Sequence, residues 1–340
     1  MKKYLLAPFL APFLAPVLAP LLAAALTVPA IAQEEPEGPP SPNEIVAAAP
    51  AEEWTEIAAS DLLVMQLAPD EKGKPRRVVI QLMPEPFSKG WVRNIRKLVA
   101  ARWYDNISIN RVQDNYVTQW GDPDGDDKAK AKPLPAGLGV MAEWDYTSYT
   151  FEMTSDLFTV FEPKPDSRMG DSYSQIVGFY AGFPFGFSIP DGPPKDGNEQ
   201  DLPKAWPIHC YGMVGVGRNF SPDTGSGAEL YTVIGHAPRH LDRNIALVGR
   251  IIEGMEHMSS LPRGTGPLGF YESAAERTPI FSVRMGDEVA DLPRFEYLST
   301  NRETFGKYAD ARANRRDPFF IKPAGGADIC NIPVPVRRKG

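Results

Sequence analysis

Ile109 to Pro123 reads Ile-Asn-Arg-Val-Gln-Asp-Asn-Tyr-Val-Thr-Gln-Trp-Gly-Asp-Pro. A short Gln113-Asp114-Asn115 turn separates two strand-like runs, which predicts strand, bend and strand. Side chains alternate along each strand, so Arg111, Tyr116, Val117 and Gln119 reach a common surface. One cation, one aromatic ring and one amide there make a candidate site. For Arg111 the bland alternative is a surface salt bridge, and for Tyr116 a place in a core.

Working outward, Arg77 to Pro84 is strand-like and leads into Ser88 to Tyr104, whose Trp91, Ile95, Leu98 and Val99 share one helical face. Ser88 is the expected N-cap. Gly212 to Met258 contains Val-Gly-Val-Gly-Arg, Gly-Ala-Glu-Leu-Tyr, His-Leu-Asp-Arg-Asn and Val-Gly-Arg-Ile-Ile-Glu-Gly-Met. These ordered blocks resemble the cyclophilins, the peptidyl-prolyl isomerase family. That family reads Phe-His-Arg, an apolar hairpin and Gln-Gly-Gly-Asp at the central stretch.

The resemblance implies a mainly β fold, a closed antiparallel β-barrel of about eight strands capped by two α-helices. It places the domain at 61–285, with an insertion at about 147–204 and a C-terminal extension over 286–340. It implies an enzyme that accelerates rotation about X–Pro bonds, without cofactor or metal, on proline-containing polypeptide clients. Arg111 is then the catalytic donor, and Gln119 holds it or a substrate carbonyl. Tyr116, Val117, Tyr231 and Leu241 form the apolar seat for proline, and Gly217, Glu229, Leu230 and Ile245 complete the groove. Asn110, Trp120, Glu229 and Ile245 depart from the family's residues. The alternative is therefore a cyclophilin-like binding module with weak or no turnover.

The chemistry asked of such a groove is modest. Resonance sets a barrier of about 18–20 kcal/mol to rotation, with uncatalysed exchange over tens of seconds or longer. Reaching milliseconds means removing about 6 kcal/mol. No nucleophile or proton shuttle is required. A donor aimed at the proline nitrogen as it pyramidalises weakens the resonance, and excluding water disfavours the more polar planar amide.

The chain has 340 residues, 43% hydrophobic, with 35 prolines and 29 glycines, a composition of turns and loops rather than a helical bundle. Lys2 and Lys3 precede an apolar Leu-Ala-Pro repeat running to Leu26, and Ala30-Ile31-Ala32 is a cleavage site. We expect a signal peptide over 1–32, cut after Ala32, no stable membrane insertion afterwards, and a periplasmic or secreted product. Cleavage removes two lysines and no acids and takes the net charge from −7 to −9. That excludes nucleic acid as a natural partner. Oligomeric state is not readable. Cys210 and Cys330, 120 positions apart, are either one disulfide or two buried thiols.

Residues 33–60 read as a flexible leader. Asp61 to Leu67 and Arg77 to Leu82 read as a hairpin at a sheet edge. In the insertion, Phe179, Tyr180, Phe183, Phe185 and Phe187 form either a client-holding wall beside the groove or a surface buried against the barrel. Asp191 to Asp201 is a polar run. Thr300 to Glu303 reads as a capping box for one helix, followed by an extended tail. His209, His236, His240 and His257 read as turn residues. No metal site is expected, because Asp127 and Pro133 spoil the calcium-loop spacing that begins at Asp122.

Overall fold

The structure, a computed structural model, describes residues 38–125, 127–161, 171–190 and 202–340. The expected signal segment, the first residues of the leader and the polar run Asp191 to Asp201 lie outside the described residues. The N-terminal half carries α1 (Pro42–Ala47), β1 (Trp54–Ile57), β2 (Leu62–Leu67), β3 (Arg76–Leu82), α2 (Lys89–Ala100), β4 (Ile107–Val112) and β5 (Val117–Gly121). The insertion adds β6 (Ser148–Tyr149), β7 (Phe158–Phe161), β8 (Ile176–Tyr180), β9 (Phe183–Ser188) and β10 (Lys204–Pro207). The rest supplies β11 (Met213–Val216), β12 (Leu230–Val233), β13 (Leu247–Glu253), α3 (Glu256–Ser259), β14 (Thr278–Met285), β15 (Phe295–Leu298), α4 (Glu303–Ala313) and β16 (Val336–Arg338).

Eight strands close on themselves in the order β11-β12-β5-β4-β14-β2-β3-β13, each pair antiparallel. The β2–β3 hairpin is not at an edge. β2 pairs with β14 on its other side, and a closed sheet has no edge. Leu63, Met65, Val78 and Ile80 fill the interior, while Leu62 and Val79 face outward beneath Phe295 and Tyr297. Burial on both faces explains why this hairpin alternates so weakly in sequence.

α2 plugs one end with Trp91, Ile95, Leu98 and Val99, all buried. Ser88 is no side-chain cap: its backbone is left-handed at φ 49° and its hydroxyl makes no cap bond. The second plug is a single turn, α3, with Met258 inward.

The flexible leader is a misreading from Pro42 on. β1 pairs with β15, and β15 with β16, so the two ends of the domain share one sheet laid over the barrel. α4 begins at Glu303, and Arg302 at its cap makes no side-chain bond, so the expected capping box is absent. The Thr304 N–H donates instead to Glu53 Oε2 at 3.0 Å, a cap supplied from the other end of the chain.

The stretch read as an insertion forms its own sheet, β6-β10-β9-β8-β7. Phe179, Tyr180, Phe183 and Phe185 are buried in the main core, with Phe87 edge-on to Tyr180 and Phe179 edge-on to Phe305 of α4. These rings are packing, not a client wall. A disulfide joins Cys210 to Cys330, their Cα atoms 5.1 Å apart. Among the described residues no helix is long and apolar enough to cross a membrane.

Candidate active site

One irregularity in the β4–β5 hairpin aims the arginine. Ile109 pairs with Trp120 and Arg111 with Gln119, with a bulge between them at Asn110. Ile109 and Val112 are both fully buried in the core although three positions apart. The extra residue breaks strict alternation and turns Arg111 out of the barrel beside Gln119. Asn110 is held there by bonds to Ser108 and to the Gly121 carbonyl.

Arg111 Nε donates to the Leu268 carbonyl at 2.7 Å and Nη1 to Gln119 Oε1 at 3.1 Å. Nη2 donates to Gln113 Oε1. The guanidinium also lies against two rings, 5.7 Å from the Tyr116 centroid and 5.3 Å from that of Phe270. Burial lowers its pKa, yet an arginine stays charged at any physiological pH. These contacts fix the fork and leave its outer N–H groups for a substrate.

Gln119 Nε2 in turn donates to Glu229 Oε2 at 2.9 Å. The amide thus spends its acceptor on Arg111 and its donor on Glu229. β11 and the residue after it contribute space: a methyl at Gly217 would come within 3.0 Å of Glu229 Cβ, and one at Gly215 within 2.3 Å of the Tyr231 ring tip. These glycines therefore admit the neighbouring Glu229 and Tyr231 side chains.

A cleft of about 690 Å³ opens here, lined by Arg111, Tyr116, Val117, Gln119, Gly217, Glu229, Tyr231, Leu241 and Ile245. Val117, Tyr231 and Val233 form an apolar cluster under Tyr116 and Ile245. Leu230 does not belong. It lies in the barrel core, because neighbours on a strand face opposite ways and Glu229 and Tyr231 take the outer face. Leu268 and Phe270 do belong, and the sequence reading missed them. Leu268 acts through a carbonyl, which no side-chain identity signals. The clue was Gly269, where a Cβ would sit 2.7 Å from Gln113 Cα. A larger cleft of about 940 Å³ between α2 and residues 139–149 carries Lys89, Arg93, Lys97 and Lys204 beside Trp144 and Tyr149. There Lys204 Nζ stands 5.6 Å from the Tyr149 ring centroid, and both residues are partly exposed.

His209 is no turn histidine. It is fully buried, with Nδ1 2.9 Å from Asp242 Oδ1 and Nε2 2.8 Å from the Tyr231 hydroxyl. Burial lowers its pKa; Asp242 opposes this, while Arg239 and His240 add to it. Burial likewise raises the Tyr231 pKa. The unfolded imidazole takes up a proton near pH 6.5, at about its ordinary pKa, while the folded one does so only at lower pH. Stability should therefore fall as pH drops below about 6.5. Melting curves between pH 7.5 and 5.5 should show a steeper loss for the wild type than for His209→Gln. Equal slopes would contradict the assignment.

The family model described as cyclophilin type peptidyl-prolyl cis-trans isomerase/CLD matches residues 70–280. No curated protein sequence matches the chain significantly. The crystal structure of a cyclophilin from Hirschia baltica superposes with a TM-score of 0.62 at 21% identity, over 87% of this chain and 96% of its own. At that identity the likeness shows a shared fold. A cyclophilin-type isomerase from Cryptosporidium parvum gives a TM-score of 0.37 at 12% identity, over 66% of this chain and 96% of its own, too distant to carry an argument.

Proposed function

This chain belongs to the cyclophilin-type peptidyl-prolyl cis-trans isomerases, and from that premise we propose that it catalyses X–Pro rotation in exported polypeptides as they fold. The observation that carries the site assignment is the Arg111 guanidinium, fixed by Leu268, Gln119 and Gln113 at the rim of an apolar seat made by Val117 and Tyr231. A proline ring placed on that seat puts its nitrogen within reach of the outer N–H groups. Donation to that nitrogen as it pyramidalises stabilises the twisted amide more than the planar one, which is the differential binding that catalysis needs. The fixed fork requires little rearrangement on the way.

The test is exchange between cis and trans forms of an Ala-Pro peptide, followed by NMR in the presence of the purified protein. Acceleration over the uncatalysed rate supports the isomerase. Peptide binding without acceleration would make the chain a binding module instead. Export is supported by the Lys2-Lys3 start, the apolar run and the Ala30-Ile31-Ala32 site, and by a disulfide suited to an oxidising compartment. Mass spectrometry of the protein from its host should find Gln33 at the mature N-terminus.

Glu229 modulates the donor. Its carboxylate is linked to Arg111 through one amide and offsets part of the cation's field at the substrate nitrogen. Glu229→Gln removes that charge, which at this range and partial exposure is worth roughly 0.5–1 kcal/mol. The exchange rate should rise about twofold to fivefold. An unchanged or lower rate would mean that Glu229 serves orientation, not field.

A further inference from the structure

The Tyr231 ring lines the cleft, but its hydroxyl is engaged from behind by a buried chain of side chains. Asp242 Oδ1 takes the His209 Nδ1–H and also the His209 backbone N–H, at 3.0 Å. That fixes Nε2 as the acceptor, so the tyrosine O–H donates to it. The two rings are nearly parallel, 11° apart with centroids 6.3 Å apart, an arrangement compatible with an in-plane hydrogen bond. Arg239 Nε donates to Asp242 Oδ2 at 2.7 Å, and its Nη1 and Nη2 donate to Asp171 Oδ2 and Oδ1 at 2.6 and 3.1 Å. Tyr173 lies under that guanidinium, 4.9 Å from its ring centroid. Each of these four polar side chains is at most 3% exposed. The absent side chain at Gly215 makes the room into which the tyrosine hydroxyl extends.

We propose that His209, oriented by Asp242 and by Arg239 with its insertion partner Asp171, is a positioning residue. It holds the Tyr231 ring in one plane at the floor of the proline seat and keeps the hydroxyl out of the cleft. The substrate ring then meets only carbon. This rests on the reading that Tyr231 lines that seat. Without an acceptor, a buried hydroxyl is left unsatisfied or turns toward solvent, and the cleft that Tyr231 lines is open to solvent. Removing both members of the pair leaves nothing to satisfy, so the two substitutions should compensate.

The experiment measures the affinity of the full protein for an Ala-Pro tetrapeptide by NMR titration, with melting temperature alongside. His209→Leu should weaken binding about tenfold. Tyr231→Phe serves as the second background, and adding His209→Leu to it should change its affinity by less than about threefold. His209→Gln, which keeps an acceptor, should stay within about threefold of wild type. Wild-type affinity in His209→Leu, or equal weakening with and without the tyrosine hydroxyl, overturns the proposal. A merely structural histidine gives that second pattern. If the leucine variant does not fold, His209→Asn replaces it in both backgrounds, since its amide can still donate to Asp242 while its oxygen falls short of the Nε2 position that accepts from Tyr231. Because affinity is the readout, absent wild-type acceleration would sink the isomerase reading alone, whereas an unresponsive affinity series would sink this one.

Discussion

Arg111→Ala is expected to lower the catalysed exchange rate of an Ala-Pro peptide by between about tenfold and a hundredfold. The estimate follows from what the side chain does. A charged hydrogen bond that forms only as the proline nitrogen pyramidalises is worth about 1.5–3 kcal/mol. The guanidinium is already braced by Leu268, Gln119 and Gln113 and lies against the Tyr116 and Phe270 rings. It therefore loses little freedom on reaching the transition state. Arg111→Lys should not restore the rate, because an ammonium cannot keep the bonds to Leu268 and Gln119 while reaching the substrate. Stability should change little by comparison, since the arginine is half-buried and sits outside the barrel core. Peptide affinity should fall less than the rate, because the apolar seat remains. If the alanine variant exchanges the peptide as fast as wild type, Arg111 is not the donor. The catalytic reading of the cleft then fails, whatever the fold.

The stretches that carry this site were legible because they are local. In β4 and β5 the turn, the cation and the amide are within eleven residues, and side-chain direction follows from strand geometry. The same rule applied to β12 would have sent Leu230 inward, between the outward Glu229 and Tyr231. That mistake was avoidable. The sheet joining β1, β15 and β16 was not readable, because β1 and β15 lie some 240 positions apart and the leader's composition mimics disorder. A Glu-, Pro- and Ala-rich segment gains its order from distant partners: Trp54 and Ile57 are buried, Ile45, Val46 and Ala49 pack against the core, and Glu53 caps α4. His209 was misread for a related reason. Its partners Asp242 and Tyr231 lie 33 and 22 residues away, and nothing in Ile208-His209-Cys210 announces them beyond the apolar run around it.

Replacing Cys210 and Cys330 together by serine should lower the melting temperature by about 6–12 °C. The bridge closes 120 residues, a loop for which the chain-entropy account allows at most about 4–5 kcal/mol and from which about 3 is commonly realised. At roughly 2–4 °C per kcal/mol for a large domain, the stated range follows. The loss should be global rather than a release of the tail. The C-terminal segment is also held by the β15–β1 and β15–β16 pairings, by Phe305 against Phe179, and by the Tyr308 hydroxyl on the Pro333 carbonyl at 2.6 Å. Those contacts survive reduction, so the native fold persists while the unfolded chain gains freedom. A reductant should accordingly lower the wild-type transition and leave that of the serine variant unmoved. If tryptic cleavage after Arg315 or Arg316 instead became rapid at low temperature, the tail would be depending on the bridge locally. If neither substitution nor reductant shifts the transition by more than about 2 °C, the constraint is worth less than about 1 kcal/mol. The tail would then be held by its packing and strand pairing alone.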